Sequence, residues 1–250
     1  MTIIITGASS GIGRELSRYY APNNNLYLLA RREDKLISLS KELESIGVNS
    51  VKIYPIDVSN FDKLQKITQE IAQKESKIDM IIANAGISLG HSHNGYSSFQ
   101  DFKQVIDINF ISIYALLEYL IPSLKNGSKI VLISSLASII TMPTSIAYSS
   151  SKRALNGYAE GLRTLLKPNG IKVINILPGF IKSPMTDKNN FNMPFIMSSE
   201  EGIKRIVYAI TKNKECYKFP KRFFYIIKFL SLLPISLRDR VIVSLKKIKK

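Results

Sequence analysis

Immediately after Met1 the chain reads Thr2-Ile3-Ile4-Ile5-Thr6-Gly7-Ala8-Ser9-Ser10-Gly11-Ile12-Gly13, and the reading of this stretch decides the fold. The β-branched run Thr2–Thr6 has the length and composition of a buried strand. It passes into a glycine-rich turn, and a helical segment follows. Glycine lets the backbone turn tightly and approach a ligand, while the unpaired N–H groups and positive end of a helix favour an anion. The stretch therefore reads as a strand, a pyrophosphate-binding turn and a helix. The same residues also suit a strand-to-helix turn that merely needs small side chains.

Outward from this unit, short apolar runs recur at Leu26–Leu29, Val51–Tyr54, Met80–Ala83, Ile130–Ile133 and Val173–Leu177. Between them lie segments with helical spacing, Asp34–Ile46, Phe61–Ala72, Phe102–Leu120 and Tyr148–Leu166. Continuous apolar strands alternating with helices imply a parallel sheet covered on both faces. The expected fold is α/β, a Rossmann-type doubly wound parallel sheet. A chain of 250 residues with 45% hydrophobic residues supplies one packed core. The expected division is a dinucleotide-binding and catalytic domain over 1–220 and a basic, apolar C-terminal helical appendage over 221–250.

Composition bounds the setting. Cys216 stands alone and no charged, apolar leader precedes the first strand, so a reducing, cytoplasmic location is expected. The formal net charge is +16, concentrated toward the C-terminus: ten Lys and Arg lie from Lys218 onward, against the single acid Asp239. No recognition-helix or zinc motif accompanies this charge, so nucleic acid is not the expected partner. His91 and His93 sit in a Gly- and Ser-containing loop without acidic or cysteine partners, and no metal site is expected.

The spacing Thr-Gly-x-x-x-Gly-Ile-Gly, rather than Gly-x-Gly-x-x-Gly, resembles the short-chain dehydrogenase/reductase family, and the resemblance extends along the chain. Gly7, Ser9, Ser10, Gly11, Ile12 and Gly13 match its cofactor turn. Asp57 and Val58 follow the third strand where similar proteins contact adenine. Asn84, Ala85 and Gly86 follow the fourth strand as the family's Asn-Ala-Gly does. At the end of the second strand a carboxylate would hold the ribose hydroxyls of NAD, but Ala30 is followed here by Arg31 and Arg32. A guanidinium pairs with a 2′-phosphate that a carboxylate would repel, so NADP(H) is expected over NAD(H), with Arg31 as the phosphate ligand and Arg14 as a second candidate.

Tyr148 and Lys152 stand four residues apart on one helix face, and Ser135 follows the fifth strand. A free tyrosine titrates near pH 10, and a neighbouring ammonium favours its phenolate. In similar enzymes the tyrosine exchanges a proton with the substrate oxygen, the serine orients that oxygen and the lysine also holds the nicotinamide ribose. The resemblance carries these roles to Tyr148, Ser135 and Lys152. It gives Asn109 a water-linked proton path, and places Pro178, Gly179, Ile181 and Ser183 against the nicotinamide. Ser183 stands where the family often has threonine. The implied reaction is hydride transfer between the nicotinamide and a carbonyl or alcohol, with carbonyl reduction the expected direction; the alternative is a non-catalytic NADP(H)-binding or sensing module at a membrane surface.

The resemblance also implies a homo-oligomer built on Phe102–Leu120 and Tyr148–Leu166. Met185–Ser198, containing Phe191, Met193, Phe195 and Met197, reads either as a contact for a lipophilic substrate or as a cap on the core. Ser198 to Glu201 reads as a capping box opening the next helix. No apolar run approaches the ~18–20 residues that span a bilayer. Phe223–Leu233 and Lys246, Lys247, Lys249 and Lys250 fit peripheral attachment to an anionic membrane, or a helix packed over the substrate site or another subunit.

Overall fold

The computed structural model of the chain describes residues 1–89, 97–189 and 192–247. Seven parallel strands, β1 (Thr2–Thr6), β2 (Asn25–Ala30), β3 (Ser50–Pro55), β4 (Ile78–Ala83), β5 (Leu124–Ile133), β6 (Lys172–Pro178) and β7 (Cys216–Phe219), lie in the order β3-β2-β1-β4-β5-β6-β7. The strand-helix alternation thus produces the doubly wound sheet expected from it. β7 was not among the expected strands. Its four residues, Cys-Tyr-Lys-Phe, are too short and polar to signal a strand alone, and their pairing with β6 makes them one.

Period-two alternation divides the strand side chains between two layers. Ile3, Ile5, Leu26, Leu28, Met80, Ile82, Val131 and Ile133 pack with Leu16 of α1 (Gly11–Tyr20), Leu36, Leu39 and Leu43 of α2 (Glu33–Ser45) and Ile206. On the opposite face Ile4, Leu29, Ile81 and Leu132 pack with Leu64 and Ile71 of α3 (Phe61–Lys74) and with Leu155, Ala159 and Leu162. Each fully buried Leu or Ile contributes about 1.5–3 kcal/mol relative to exposure.

Asn60, Ser98 and Ser198 cap the helices that follow them, each accepting a hydrogen bond from the backbone N–H three residues on. The Ser198 cap supplies one half of the expected capping box. After α4 (Phe99–Ile106) a π-helical turn, Asp107–Ile111, leads into α5 (Ser112–Leu120). By length and composition the helical run Phe99–Ser123 is sufficient to cross a bilayer, contrary to the sequence expectation. Ile113, Leu116, Leu117 and Leu120 are buried against the sheet, which accounts for its apolar character. α6 (Ile146–Leu166) and α7 (Ser199–Thr211) complete the wound layers, and α8 (Lys221–Leu232) and α9 (Ile235–Lys247) form the C-terminal segment.

Candidate active site

The strand order reverses between β1 and β4, the place where an open α/β sheet leaves a crevice at its strand ends. Gly7 leaves β1 with φ +69°, and a Cβ there would stand 2.9 Å from the Ala85 Cα. A Cβ on Gly13 would stand 2.4 Å from the Gly7 carbonyl oxygen. Both positions therefore demand glycine, and the turn keeps a bare backbone cradle. Ser10, at the N-cap of α1, makes no side-chain cap, leaving the helix's leading N–H groups without that partner. A backbone cradle at a helix N-terminus has the chemistry a pyrophosphate requires.

Thr6 locks the cradle to the next strand end. Its Oγ1 accepts hydrogen bonds from the backbone N–H groups of Asn84 and Ala85, both at 3.0 Å, while Asn84 Nδ2 donates to Thr6 O at 3.0 Å. Ile12 packs half-buried onto the core, and Val58 is buried. Asp57 Oδ1 accepts from the Ser59 backbone N–H and hydroxyl. Burial raises the Asp57 carboxyl, but the Ser59 hydrogen bonds and Arg31 outweigh it and hold the group below its ordinary range.

The three candidate arginines differ in placement. Arg31 is exposed and reaches Asp57 at 3.4 Å. Arg32 instead spans the cofactor turn, donating to Ser9 Oγ at 3.0 Å and Ser10 Oγ at 2.6 Å. Arg14 is held by Glu42 of α2 at 3.0 Å, so it is committed to the α1–α2 contact. The sequence pattern paired Arg32 with Arg31 in favouring NADP(H) but chose Arg31 as the phosphate ligand. The side-chain direction of Arg32 is a tertiary fact with no sequence signal.

At the catalytic end, the Ser135 side chain lies close enough to the Tyr148 phenol to oppose the rise that burial imposes on it. Ser135 Oγ also accepts from the Ala137 N–H at 3.1 Å, which orients it. Tyr148 lies in the first turn of α6, and Lys152 one turn further. Lys152 is only 3% exposed, and its Nζ donates to the Ile133 carbonyl at 2.8 Å. Burial pushes the ammonium down to about 8. Burial also raises the Tyr148 phenol, with Ser135 opposing it. In this arrangement desolvation dominates and favours the neutral phenol, while Lys152 Nζ stands 5.9 Å from the Tyr148 ring centroid.

Asn109 is fully buried within the π-helical turn. Its Oδ1 accepts from Ile87 N at 2.8 Å, and its Nδ2 donates to Ile87 O at 2.9 Å and to Ser151 Oγ at 3.0 Å. The side chain thereby joins the loop after β4 to α6. Gly86 stands between the two ends of the site, since a Cβ there would lie 3.3 Å from Asn109 Oδ1 and 3.5 Å from Lys152 Nζ.

Sequence reasoning missed the polar network beneath these groups. Asn156 of α6 accepts from Ser134 Oγ at 2.7 Å and from Asn175 Nδ2 at 2.9 Å. It donates to Ser138 Oγ at 2.7 Å, and Ser138 in turn donates to the Ser135 carbonyl at 2.6 Å. Its helical spacing four residues after Lys152 was the available signal.

The loop after β6 returns to the cofactor turn. Gly179 N donates to Phe219 O at 2.7 Å, Ile181 is buried, and the Ser183 Cβ lies 3.5 Å from where a Cβ of Gly11 would stand. Thr186, also missed, accepts from Ser183 N and donates to the Ile181 carbonyl, closing this loop. Pro178 ends β6 next to these residues. Above them Phe223 of α8 contacts Phe180 and Phe195 at ring-centroid distances of 5.8 and 5.9 Å. Leu136, Ile140, Leu177, Ile227 and Ile242 form a third apolar cluster. One face of the C-terminal segment thus packs over the loops that follow β5 and β6. Among the described residues no group of three His, Cys, Asp or Glu is placed to hold a metal. His91, His93 and Phe191 lie outside the described residues.

The model of the short chain dehydrogenase family matches residues 1–193. An 11-beta-hydroxysteroid dehydrogenase-like 2 from Arabidopsis thaliana is 37% identical over 216 residues, covering 84% of this chain and 69% of that protein. An uncharacterized oxidoreductase from Myxococcus xanthus is 30% identical over 241 residues, covering 95% and 94% of the two chains. In fold, the chain is similar to a short chain dehydrogenase/reductase from Burkholderia phymatum solved with NAD, with TM-score 0.80, 19% identity and 91% of each chain covered. It is likewise similar to a short-chain dehydrogenase from Sphingobium yanoikuyae solved with NADPH, with TM-score 0.77, 21% identity and coverage of 99% and 94%. The matched family model, the relatives named dehydrogenase and oxidoreductase, and the glycine cradle lead to one conclusion: the chain belongs to the short-chain dehydrogenase/reductase family of NAD(P)-dependent oxidoreductases.

Proposed function

We propose that this protein is an NADP(H)-dependent carbonyl reductase for an apolar substrate, with Tyr148 as the proton donor. The observation that carries the reading is the grouping of Ser135, Tyr148 and buried Lys152 at the strand ends, next to the glycine cradle. The cradle from Gly7 to Gly13 would hold the pyrophosphate. Asp57 and Val58 would adjoin the adenine, Asn84, Ala85 and Gly86 the ribose side, and Pro178, Gly179, Ile181 and Ser183 the nicotinamide.

A bound nicotinamide supplies the hydride that reduces the carbonyl carbon. The chain's own residues manage the proton and the developing charge. Tyr148, kept neutral by burial, has a proton to donate to the substrate oxygen as that oxygen becomes an alkoxide. Ser135 orients the same oxygen. Lys152 stabilises the tyrosinate left behind, and its lowered affinity suits proton exchange near neutral pH. Asn109 positions the loop and helix that frame the path by which Lys152 recovers a proton from solvent.

NADP(H) preference rests on two guanidinium groups, Arg31 and Arg32, at the end of β2, where an NAD enzyme would place a carboxylate. An apolar substrate is supported by Phe180, Phe195 and Phe223 above the strand ends. A homo-oligomer is supported by exposed Phe102 of α4, Tyr114 of α5 and Leu165 of α6, which leave apolar surface on the helices the family resemblance implicates. Lone, exposed Cys216 fits a reducing, cytoplasmic setting, and the basic, apolar C-terminus fits peripheral membrane contact.

Titration calorimetry with NADPH and NADH is the first test. NADPH is expected to bind more tightly, the difference shrinking in Arg31→Ala and Arg32→Ala. Carbonyl reduction with NADPH should then be lost in Tyr148→Phe while NADPH binding persists. Binding of neither nucleotide, or full activity in Tyr148→Phe, overturns the reading.

A further inference from the structure

α8 has two faces of opposite use. At about 100° per residue, Phe223, Phe224, Ile227 and Leu230 share one side and pack against Leu136, Ile139, Ile140, Met142 and Leu177. On the other side Tyr225, Ile226, Phe229 and Leu232 follow one another at helical spacing, exposed by 63%, 49%, 66% and 70%. Ile235, at the start of α9, and Phe195 and Ile196 of the loop that touches Phe223 are exposed too. Single exposed apolar residues are ordinary, but a whole helix face of them marks an interaction surface.

Charge identifies the occupant. Lys221, Arg222 and Lys228 are exposed on α8, and Asp239 is the only acid among residues 218–250, against ten Lys and Arg. A second copy seated on this face would bring like charges together. An anionic lipid surface satisfies both components, with apolar side chains entering the acyl boundary and cations meeting headgroups. We propose that the exposed face of α8 docks on an anionic bilayer, and that its inner face holds the substrate end of the catalytic crevice against that bilayer. Membrane-dissolved carbonyl lipids are then the substrate class. The docking stands on the α8 surface alone, and only the substrate class rests on the reductase reading.

The test is flotation of the full chain with phosphatidylcholine vesicles, with and without phosphatidylserine, alongside size-exclusion chromatography. The wild type is expected to float with the anionic vesicles, less with neutral ones and less at high salt. Phe229→Asp/Leu232→Asp should lower the bound fraction about tenfold or more, since each side chain loses its favourable transfer from water. Lys228→Glu should weaken binding to anionic vesicles alone. Calorimetry with NADPH on each variant reports whether the fold survives, so docking and the reductase reading fail separately. Absence of flotation by the wild type, or flotation unchanged in both variants, overturns the proposal. Dimers that dissociate in Phe229→Asp/Leu232→Asp without any vesicle binding also overturn it, and assign the face to a second copy.

Discussion

Lys152 is expected to cost the folded protein stability, and Lys152→Met makes this measurable. The side chain is buried, and its charge is met by one backbone carbonyl, Ile133 O at 2.8 Å. A fall from the ordinary 10.5 to about 8 corresponds, at ~1.4 kcal/mol per tenfold change in proton affinity, to roughly 3 kcal/mol of penalty on the charged form. Below pH 8 the folded state bears this penalty in full. Between about 8 and 10.5 the folded state releases the proton while the unfolded state still binds it, so stability rises with pH through that window. Methionine keeps the volume, removes the charge and leaves the Ile133 carbonyl without its donor, which returns about 1 kcal/mol of the gain. Lys152→Met, without nucleotide, is therefore expected to be more stable by about 1–2 kcal/mol at pH 7, with the advantage gone by pH 10.5. Urea unfolding of both proteins at pH 7, 9 and 10.5 measures the difference. A variant less stable than wild type at pH 7, or a gap independent of pH, refutes the reasoning.

Gly13→Ala adds a good helix former to α1, yet its Cβ would lie 2.4 Å from a backbone oxygen; a net loss of about 1–3 kcal/mol and abolished NADPH binding are expected by thermal unfolding and calorimetry. Arg32→Ala removes the guanidinium over Ser9 and Ser10 and should weaken NADPH binding about tenfold or more while leaving NADH binding within a few-fold. Asn156→Leu strips partners from Ser134, Ser138 and Asn175, so it should lower stability by about 2–4 kcal/mol in urea unfolding and reduce kcat more than it raises KM.

The sequence-level reading reached the sheet because apolar periodicity is a property of the chain itself: Ile3–Ile5 and Met80–Ala83 are continuous runs, and such runs need helices on both faces. β7 and the burial of α5 were not legible. Four residues acquire strand character only by pairing with β6, and a 25-residue apolar helical run is equally apolar whether lipid or a sheet receives it. Tyr148 and Lys152 were legible through their spacing, because an i,i+4 pair is local. Thr186 and Asn156 were not, because their partners lie on the returning loop and on separate strands.

By itself the sequence determined the six longer apolar strands and the helices between them, and set Tyr148 and Lys152 one helical turn apart, since these follow from periodicity and spacing. Only the tertiary structure decided that Arg32 and not Arg14 reaches the cofactor turn. It alone decided that desolvation outweighs Ser135 at Tyr148, and that α8 divides its apolar residues between the crevice and solvent. Side-chain direction, burial and the dielectric around a charge depend on what the rest of the chain brings near, and no local pattern records them.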